Sequence, residues 1–292
     1  MPRGDSLSNV PQSCRMLAVV ADDRTVLVTG ANSGLGLATV LAAARAGFAV
    51  VGTVRAESKA DGVAKAAADA GVAVDTALLD VTDADECAAV IDEHRPWGLV
   101  NNAGFGTVGA VEDVGDDEAR QVLETMVVAP TRLARLALPH MREAGAGRIV
   151  NVSSVYGFAS SPLSGWYQGA KHALEGVSDA LRMEVAGDNI SVVLIEPGGF
   201  DTNIWAENAA VISGREDSRY GESYERTLRF TDLYRHIMGT PEEAADIIVG
   251  SLRARRPRAR YLVGRDAWVI AALDRFTITP LRDRVTRFVL GL

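Results

Sequence analysis

Tyr167 and Lys171 stand four residues apart in the stretch SGWYQGAKHALEG, which covers residues 164–176. On a helix, residues at i and i+4 project from the same face, so the phenol and the ammonium can share one small site. Only three of the thirty Lys and Arg residues are lysines. Lysine is a compact point charge on a flexible stem, whereas arginine presents a planar fork. The spacing therefore predicts a site in which a positive charge acts on a tyrosine hydroxyl.

The chemistry of this pair depends on the pKa of the tyrosine. A tyrosine with a pKa near 10 is a poor base at neutral pH, and lowering that pKa to about 7 takes about 4 kcal/mol. A unit charge about 5 Å away supplies about 3 kcal/mol at an effective dielectric constant of 20. We expect Lys171 to provide most of the lowering, so that Tyr167 can transfer a proton.

Ser154 follows the apolar run GRIVNVS and precedes Tyr167 by thirteen residues. Its hydroxyl can hydrogen-bond a substrate oxygen while Tyr167 transfers a proton. A serine at the end of a strand is also a common cap. Because Ser154 occurs together with Tyr167 and Lys171, we interpret it as a third catalytic residue. No metal is predicted, and the scattered histidines are interpreted as structural or surface residues: His94, His140, His172 and His236.

The elements that position these residues are short β-branched runs alternating with Ala- and Leu-rich stretches. Buried strands, apolar on both faces, are predicted at TVLVTG, FAVVGTV, VAVDTALLD, GLVNNAG, GRIVNVSS and ISVVLIEPGG. Helices are predicted near 35–46, 59–70, 84–94, 116–143 and 166–186. This alternation implies right-handed crossovers and a parallel sheet covered on both faces. The predicted fold class is therefore α/β, with a doubly wound parallel sheet.

The first predicted strand leads into the turn TGANSGLG, which holds Gly30, Gly34 and Gly36. Glycines at the start of a helix let the backbone approach a pyrophosphate, and the helix N-terminus offers free N–H groups. A tight turn without a ligand is the alternative. The position after the first strand favours a dinucleotide site, and the spacing GxxxGxG differs from the commoner GxGxxG. Ser33 and Leu35, inside the turn, are further candidate contacts.

The ends of the second and third predicted strands bear on the choice of cofactor. The second strand ends in GTVR, with no carboxylate to hold a ribose 2′-hydroxyl and with Arg55 able to accept a 2′-phosphate. This pattern predicts NADP(H) in preference to NAD(H), although Arg55 could also be an ordinary solvated residue. Asp80 and Val81 follow the third strand and suit an adenine edge, and Asp80 could also cap the next helix.

Composition places limits on the domains and partners. At 292 residues, 48% of them hydrophobic, the chain can bury one large core. We expect a loose leader at 1–22, a catalytic domain at 23–265 and a helical extension at 266–292. The net charge of −8 disfavours nucleic acid as a partner. The two cysteines are far apart in the sequence, which argues against a disulfide framework. No apolar run is long enough to span a membrane. We therefore expect a soluble cytoplasmic protein.

Two segments depart from the α/β rhythm. Residues 203–240 carry five aromatic side chains without a clean period, which is typical of an irregular lid over a site. From Ser251 onward ten Arg face three Asp, and the stretch PLRDRVTRFVLGL has an apolar stripe at helical spacing. A basic helix of this kind can contact a membrane surface. It can equally pack on the domain or on a second subunit.

The motifs together resemble the classical short-chain dehydrogenase/reductase family over about residues 24–265. They are TGxxxGxG at 29–36, NNAG at 101–104, Ser154 with Tyr167 and Lys171, and PGGFDT at 197–202. The resemblance implies a seven-stranded Rossmann-type sheet, hydride transfer between NAD(P) and a carbonyl or alcohol, and a homodimer or homotetramer. The final segments are similar to hydroxysteroid and retinol dehydrogenase-like members, which implies a hydrophobic small-molecule substrate.

The resemblance also implies roles for single residues. Tyr167 is the general acid and base, Lys171 lowers its pKa and holds the nicotinamide ribose, and Ser154 orients the substrate. An oxidised nicotinamide cation would supply the remaining lowering of the pKa. Residues of the NNAG turn line the cofactor ribose, and those of PGGFDT line the nicotinamide end: Asn102, Ala103 and Gly104, then Pro197, Gly198, Phe200 and Thr202.

Met126 departs from the family pattern, because the family has an asparagine at this place in its long central helix. That asparagine helps to hold a water that links the lysine to solvent. Either a backbone carbonyl carries the water here, or the enzyme is slow or repurposed. The alternative function is therefore an NADP(H)-binding sensor with vestigial catalysis, although a sensor has no use for a tuned phenol.

Overall fold

Seven parallel strands form a single sheet in this computed structural model, which describes residues 22–215 and 217–292. They are β1 (Asp22–Val28), β2 (Phe48–Val54), β3 (Asp75–Leu78), β4 (Gly98–Asn101), β5 (Gly147–Val152), β6 (Ile190–Pro197) and β7 (Arg260–Val263). Their order is β3-β2-β1-β4-β5-β6-β7, and all six pairings are parallel. The predicted α/β doubly wound fold is confirmed. The predicted leader lies outside the described residues except for Asp22, which begins β1.

The five helices predicted between residues 35 and 186 are present within two residues of their predicted bounds, with one interruption, whereas the helix Pro241–Arg253 was not predicted. The described residues form eleven α-helices. They are α1 (Gly34–Arg45), α2 (Glu57–Asp69), α3 (Ala84–His94), α4 (Asp116–Leu123), α5 (Ala129–Glu143), α6 (Gly165–Glu184), α7 (Ile204–Ser213), α8 (Gly221–Tyr234), α9 (Pro241–Arg253), α10 (Arg265–Phe276) and α11 (Thr279–Leu290). The helix predicted at 116–143 contains a π-helical turn, Glu124–Val128, between α4 and α5. Such turns are frequent at functional sites.

The core has one layer on each face of the sheet. Successive strand residues point to opposite faces, so Val26 and Val28 pack with α1 and α9, while Leu27 packs with α3 and α5. Burial on both faces explains the continuous apolar runs of the central strands. The prediction is wrong for β3, where Asp75 and Leu78 are exposed, because β3 is an edge strand and covers less of the core.

The missing periodicity of residues 203–240 predicted an irregular segment, and this prediction is wrong. Helices α7 and α8 occupy most of the segment. Their apolar residues face a cleft and a small cluster around Tyr224 rather than the main core, so no single stripe develops. Helices α10 and α11 form most of the C-terminal stretch 266–292, in agreement with the helical spacing of its apolar residues.

Candidate active site

The carboxyl ends of the central strands border one cleft of about 1210 Å³. The strand order reverses between β1 and β4, and ligands of open α/β sheets bind at this switch point. Every predicted site residue except Gly36 lines the cleft: Gly30, Ser33, Gly34, Leu35, Arg55, Asp80, Val81, Asn102, Ala103, Gly104, Ser154, Tyr167, Lys171, Pro197, Gly198, Phe200 and Thr202. The fold thus brings together residues up to 172 positions apart in the sequence.

The predicted catalytic residues come from two neighbouring elements. Tyr167 and Lys171 lie on successive turns near the start of α6, and Ser154 lies just beyond β5. The Ser154 side chain lies close enough to Tyr167 to act on the pKa of its phenol. Ser154 Oγ also accepts a hydrogen bond from the Tyr156 N–H at 3.1 Å, so Ser154 caps a short turn as well. The cap interpretation of Ser154 is confirmed, and its catalytic role stays a prediction.

Lys171 is almost completely enclosed, with 7% of its surface exposed. Its Nζ donates a hydrogen bond to the Val152 carbonyl oxygen at 2.8 Å and lies 5.8 Å from the centre of the Tyr167 ring. The hydrogen bond joins α6 to the end of β5. The ammonium is consequently held beside the tyrosine at a fixed point of the sheet edge.

Burial controls the pKa of both members of the pair. It raises the pKa of Tyr167 to about 12, while the Ser154 side chain acts in the opposite direction. It lowers the pKa of Lys171 to about 8, against the attraction of Glu175. The expectation that Lys171 provides most of a lowering of the Tyr167 pKa is therefore wrong for the protein chain without its cofactor. Desolvation disfavours the tyrosinate more strongly than the nearby ammonium favours it.

A buried group of charges lies one helical turn beyond Lys171. Glu175 on α6 and Glu196 on β6 are both buried, and both accept hydrogen bonds from Arg260 of β7. Arg260 also contacts Asp179 at 2.6 Å. Burial raises the pKa of Glu196, and the negative charge of Glu175 adds to this effect. The group places carboxylate charge behind the ammonium of Lys171.

Sequence reasoning missed this group, although one signal was present. Glu175 follows Lys171 by four residues, which is the spacing of an ion pair on one helix face. Its partners Glu196 and Arg260 belong to β6 and β7, and only the pairing of these strands brings them together.

The glycine turn is shaped for close approach. Gly30 and Gly34 have positive φ angles of 68° and 52°, which favour glycine. A Cβ on Gly36 would lie 2.1 Å from the Gly30 carbonyl oxygen, so α1 could not start so close to β1 with any other residue. The first turn of α1 has no acidic residue and no side-chain cap. Its N–H groups are therefore free to bind an anion.

Thr29 is a further residue that the sequence analysis missed. Its Oγ1 accepts hydrogen bonds from the N–H groups of Asn102 and Ala103 at 3.0 and 2.9 Å. The Asn102 side chain donates to the Thr29 carbonyl oxygen at 2.9 Å. These bonds clamp the turn after β4 against the turn after β1. Asn102 thus helps to fix the shape of the cleft where these two turns meet.

Arg55 and Asp80 line the cleft where β2 and β3 end. Asp80 Oδ1 accepts hydrogen bonds from the Thr82 N–H at 2.9 Å and from the Thr82 hydroxyl at 2.7 Å. These bonds, followed by the charge of Arg55, lower the pKa of Asp80. The helix cap is not Asp80 but Asp83, which accepts bonds from the first turn of α3. Asp80 instead fixes the turn between β3 and α3.

Met126 lies in the π-helical turn and is 2% exposed. It packs with Val122, Ala170 and Tyr167. A cavity of about 10 Å³, close to the size of one water, lies nearby between Lys171, Thr125 and Asn101. Asn101 Oδ1 is buried and makes no hydrogen bond within the described residues. Polar groups thus reach the neighbourhood of Lys171 although Met126 itself is apolar.

The segment 203–240 forms the outer wall of the cleft. Its lining side chains are mostly apolar or aromatic and include Trp205, Ile212, Leu228, Phe230, Tyr234 and Ile237. The cleft therefore has a polar region at the strand ends and an apolar region beneath α7 and α8.

The sheet order, the glycine turn and the cleft define a dinucleotide-binding α/β protein of the Rossmann type. A family model described as short chain dehydrogenase matches residues 24–211. The chain belongs to the short-chain dehydrogenase/reductase family, and it is an oxidoreductase that uses NAD(P) as its cofactor.

Three proteins illustrate the similarity. The uncharacterized oxidoreductase YusZ of Bacillus subtilis is 34% identical over 251 residues, 83% of this chain and 89% of that protein. Human 17-beta-hydroxysteroid dehydrogenase type 1 is 31% identical over 250 residues, 81% of this chain and 76% of that protein. The structure of L-sorbose reductase from Gluconobacter frateurii, complexed with NADPH and L-sorbose, has a TM-score of 0.70 and 29% identity. The match covers 83% of this chain and 95% of that one.

Proposed function

We propose that this protein interconverts a carbonyl and an alcohol on a hydrophobic small molecule, with Ser154, Tyr167 and Lys171 as its catalytic residues and NADP(H) as the preferred cofactor. The observation that carries the proposal is the meeting of these three side chains in the cleft that the glycine turn also lines. A phenol next to a serine hydroxyl and an ammonium suits proton transfer to or from a carbonyl oxygen.

Each catalytic side chain has a separate task. In the reduction direction the Tyr167 hydroxyl gives its proton to the substrate oxygen as that oxygen becomes an alcohol. Ser154 donates a hydrogen bond to the same oxygen and orients it. Lys171 stabilises the tyrosinate that is left, because its positive charge is close and enclosed. In the oxidation direction the proton returns to Tyr167.

The residues of the cleft fit a nicotinamide dinucleotide. The close approach at Gly36 and the uncapped first turn of α1 suit the phosphates, with Ser33, Gly34 and Leu35 as contacts. When bound, the cofactor supplies or accepts the hydride. The adenosine end is assigned to Asp80 and Val81, the ribose next to the nicotinamide to Asn102 and Lys171, and the nicotinamide end to the PGGFDT turn.

The preference for NADP(H) rests on Arg55. This residue is exposed and lines the cleft directly after β2. Val54, which occupies the place where a carboxylate would hold a ribose hydroxyl, is apolar. A guanidinium makes charge-assisted hydrogen bonds to a phosphate, so the 2′-phosphate has a partner here.

A hydrophobic substrate is supported by the apolar wall that α7 and α8 contribute to the cleft. The name of the human relative refers to a steroid, which is hydrophobic, whereas the ligand named for the sorbose reductase is a sugar. We therefore base the proposal on the wall of this cleft. The lid role of residues 203–240, the homodimer or homotetramer and the cytoplasmic location stay predictions.

The test is the absorbance of the reduced cofactor in the presence of a panel of hydrophobic ketones and alcohols. We expect turnover with some panel members, NADPH more effective than NADH, and loss of turnover in Tyr167→Phe. The alternative function, a sensor with vestigial catalysis, is favoured by the apolar Met126. Tight cofactor binding without turnover on any panel member would support that alternative.

A further inference from the structure

The C-terminal helix α11 has its apolar face turned away from the protein. Leu281, Val285, Phe288 and Val289 lie within about 100° of one another around the helix, and all four are exposed. Phe288 is 85% exposed. The half-buried residues of α11, such as Arg282, lie on another side. This arrangement inverts the usual one, in which the apolar stripe of a surface helix faces the core.

Helix α10 shows the same inversion. Only Ala267 is buried in this helix, whereas Trp268, Val269, Leu273 and Phe276 are exposed. Phe276 is 79% exposed. Together with α11, this gives an apolar surface formed by consecutive helices. Contiguous apolar surfaces of this kind mark sites of interaction, whereas single exposed apolar residues do not.

The apolar surface continues to the mouth of the cleft. Phe230, Ile237 and Val269 line the cleft and are more than half exposed. Helix α8 is tied to α10 by a hydrogen bond from the Tyr234 hydroxyl to Asp266. The entrance to the proposed substrate region therefore opens at the edge of the apolar surface formed by α10 and α11.

Four arginines flank this surface. Arg265, Arg275, Arg284 and Arg287 are exposed and make no ion pair within residues 22–215 and 217–292. The acidic residues of α10 and α11 do not neutralise these arginines on the apolar side. Asp266 and Asp274 are half-buried and hydrogen-bonded, and Asp283 lies about 200° around α11 from Leu281, beside Arg287, so that Arg284 is the α11 arginine nearest to the apolar stripe. The surface is thus apolar with a basic border.

We propose that this surface, α10 and α11 with the rim of α8, binds an anionic lipid bilayer and sets the mouth of the cleft against the lipid. Apolar side chains enter the headgroup region, and each bordering arginine gains from the negative surface potential. No described helix is long and apolar enough to cross a membrane, so the contact is peripheral. A hydrophobic substrate dissolved in the bilayer reaches the apolar wall of the cleft without passing through water. This last step rests on the proposed function, whereas the binding itself does not.

A second copy of this chain is a less suitable occupant. A two-fold interface brings the same patch of both copies together, so both copies would bring the same arginines, and the same net positive charge, to the contact. Like charges placed opposite each other across an interface are unfavourable. Anionic headgroups complement the same arginines, and this difference decides the choice of partner.

The test is flotation of the full-length protein with vesicles at physiological ionic strength. One set of vesicles is phosphatidylcholine alone, and the other is phosphatidylcholine mixed with phosphatidylglycerol. We expect the native protein to float with the mixed vesicles. The double variant Phe276→Glu with Phe288→Glu should lose about tenfold or more in partition, because it places charge at two exposed apolar sites. The matched control is Met183→Glu, which alters an exposed apolar residue of α6 and should float like the native protein.

A second variant, Arg284→Gln with Arg287→Gln, tests the basic border without changing the apolar surface. It should weaken binding to the mixed vesicles by about fivefold per arginine. Failure of the native protein to float, or equal flotation of the phenylalanine variant, would overturn the proposal. A smaller oligomer in light scattering of the phenylalanine variant would assign the surface to a second copy. Because flotation needs no turnover, the result is independent of the proposed catalytic activity.

Discussion

The ammonium of Lys171 is bonded to the carbonyl oxygen of Val152, at 2.8 Å, where β5 ends. This bond fixes the charge between α6 and the sheet, in a position that is 7% exposed. A compact ammonium on a flexible stem fits such a position, whereas a planar guanidinium carries five donors that would need partners. The geometry explains why this site has a lysine in a chain that otherwise prefers arginine.

Lys171→Arg is predicted to impair both turnover and cofactor affinity, although it keeps the charge. The larger group cannot keep the bond to Val152 without shifting α6, and misplacement by about 1 Å can reduce the rate about 10²-fold. Steady-state kinetics and a cofactor titration measure the two effects. A variant with a rate near that of the native protein would show that charge alone matters.

Tyr167→Phe is predicted to lose turnover by about 10²- to 10⁴-fold and to retain cofactor affinity, because it removes only the transferable proton. The matched control is Tyr261→Phe, which removes the hydroxyl that accepts a hydrogen bond from the Arg258 N–H outside the cleft. The control should retain turnover. Equal losses in both variants would contradict the role of Tyr167.

Glu175→Gln is predicted to change the pH dependence of carbonyl reduction. Tyr167, with a pKa of about 12, stays protonated through the neutral range. Lys171, with a pKa of about 8, loses its charge as the pH rises through that value, so kcat/KM should fall there. The charge of Glu175 raises the pKa of Lys171. Its removal should therefore move the falling limb to lower pH.

The control for this shift is Asp179→Asn, on the same helix. Asp179 also binds Arg260, but it lies two turns from Lys171 rather than one. Glu196 and Arg260 are the other charged groups that meet Glu175, and both remain in the two variants. If the Glu175 variant and the native protein share one midpoint, Glu175 does not control Lys171.

Arg55→Ala is predicted to weaken NADPH binding by about tenfold or more and to leave NADH binding nearly unchanged, because a hydrogen bond to a charged group contributes about 1.5–3 kcal/mol. Cofactor titrations of the native protein and the variant provide the measurement. Lys59→Ala, an exposed cation of α2 outside the cleft, is the control. Equal native affinity for both cofactors would refute the preference.

Met126→Asn is predicted to destabilise the protein by roughly 1–3 kcal/mol, because it places an amide among apolar side chains without a partner. Denaturant unfolding measures the change in the free energy of unfolding. Met183→Asn makes the same substitution at an exposed residue of α6 and should have little effect. An unchanged stability of the Met126 variant would mean that the amide finds partners near Asn101 and Lys171.

The first six strands and the helices up to α6, the glycine turn and the Ser154, Tyr167 and Lys171 motif could all be predicted from the sequence, whereas β7 and α9 were not read from the sequence pattern. The predicted features depend on periodicity, chain connectivity and short spacings, which are local properties. The edge position of β3 could not be predicted, because it depends on which strand has a single neighbour. The helices within 203–240 were missed, since their apolar residues face a cleft rather than the core.

Tertiary structure alone decided the electrostatics and the surfaces. The raised pKa of Tyr167 arises from burial, which a count of nearby charges along the helix does not include. The charges behind Lys171 meet only because β6 pairs with β7. The apolar stripe of α11 was visible in the sequence, but its direction, away from the domain, was not. Spacing along a helix determines which residues share a face, and only packing determines what that face contacts.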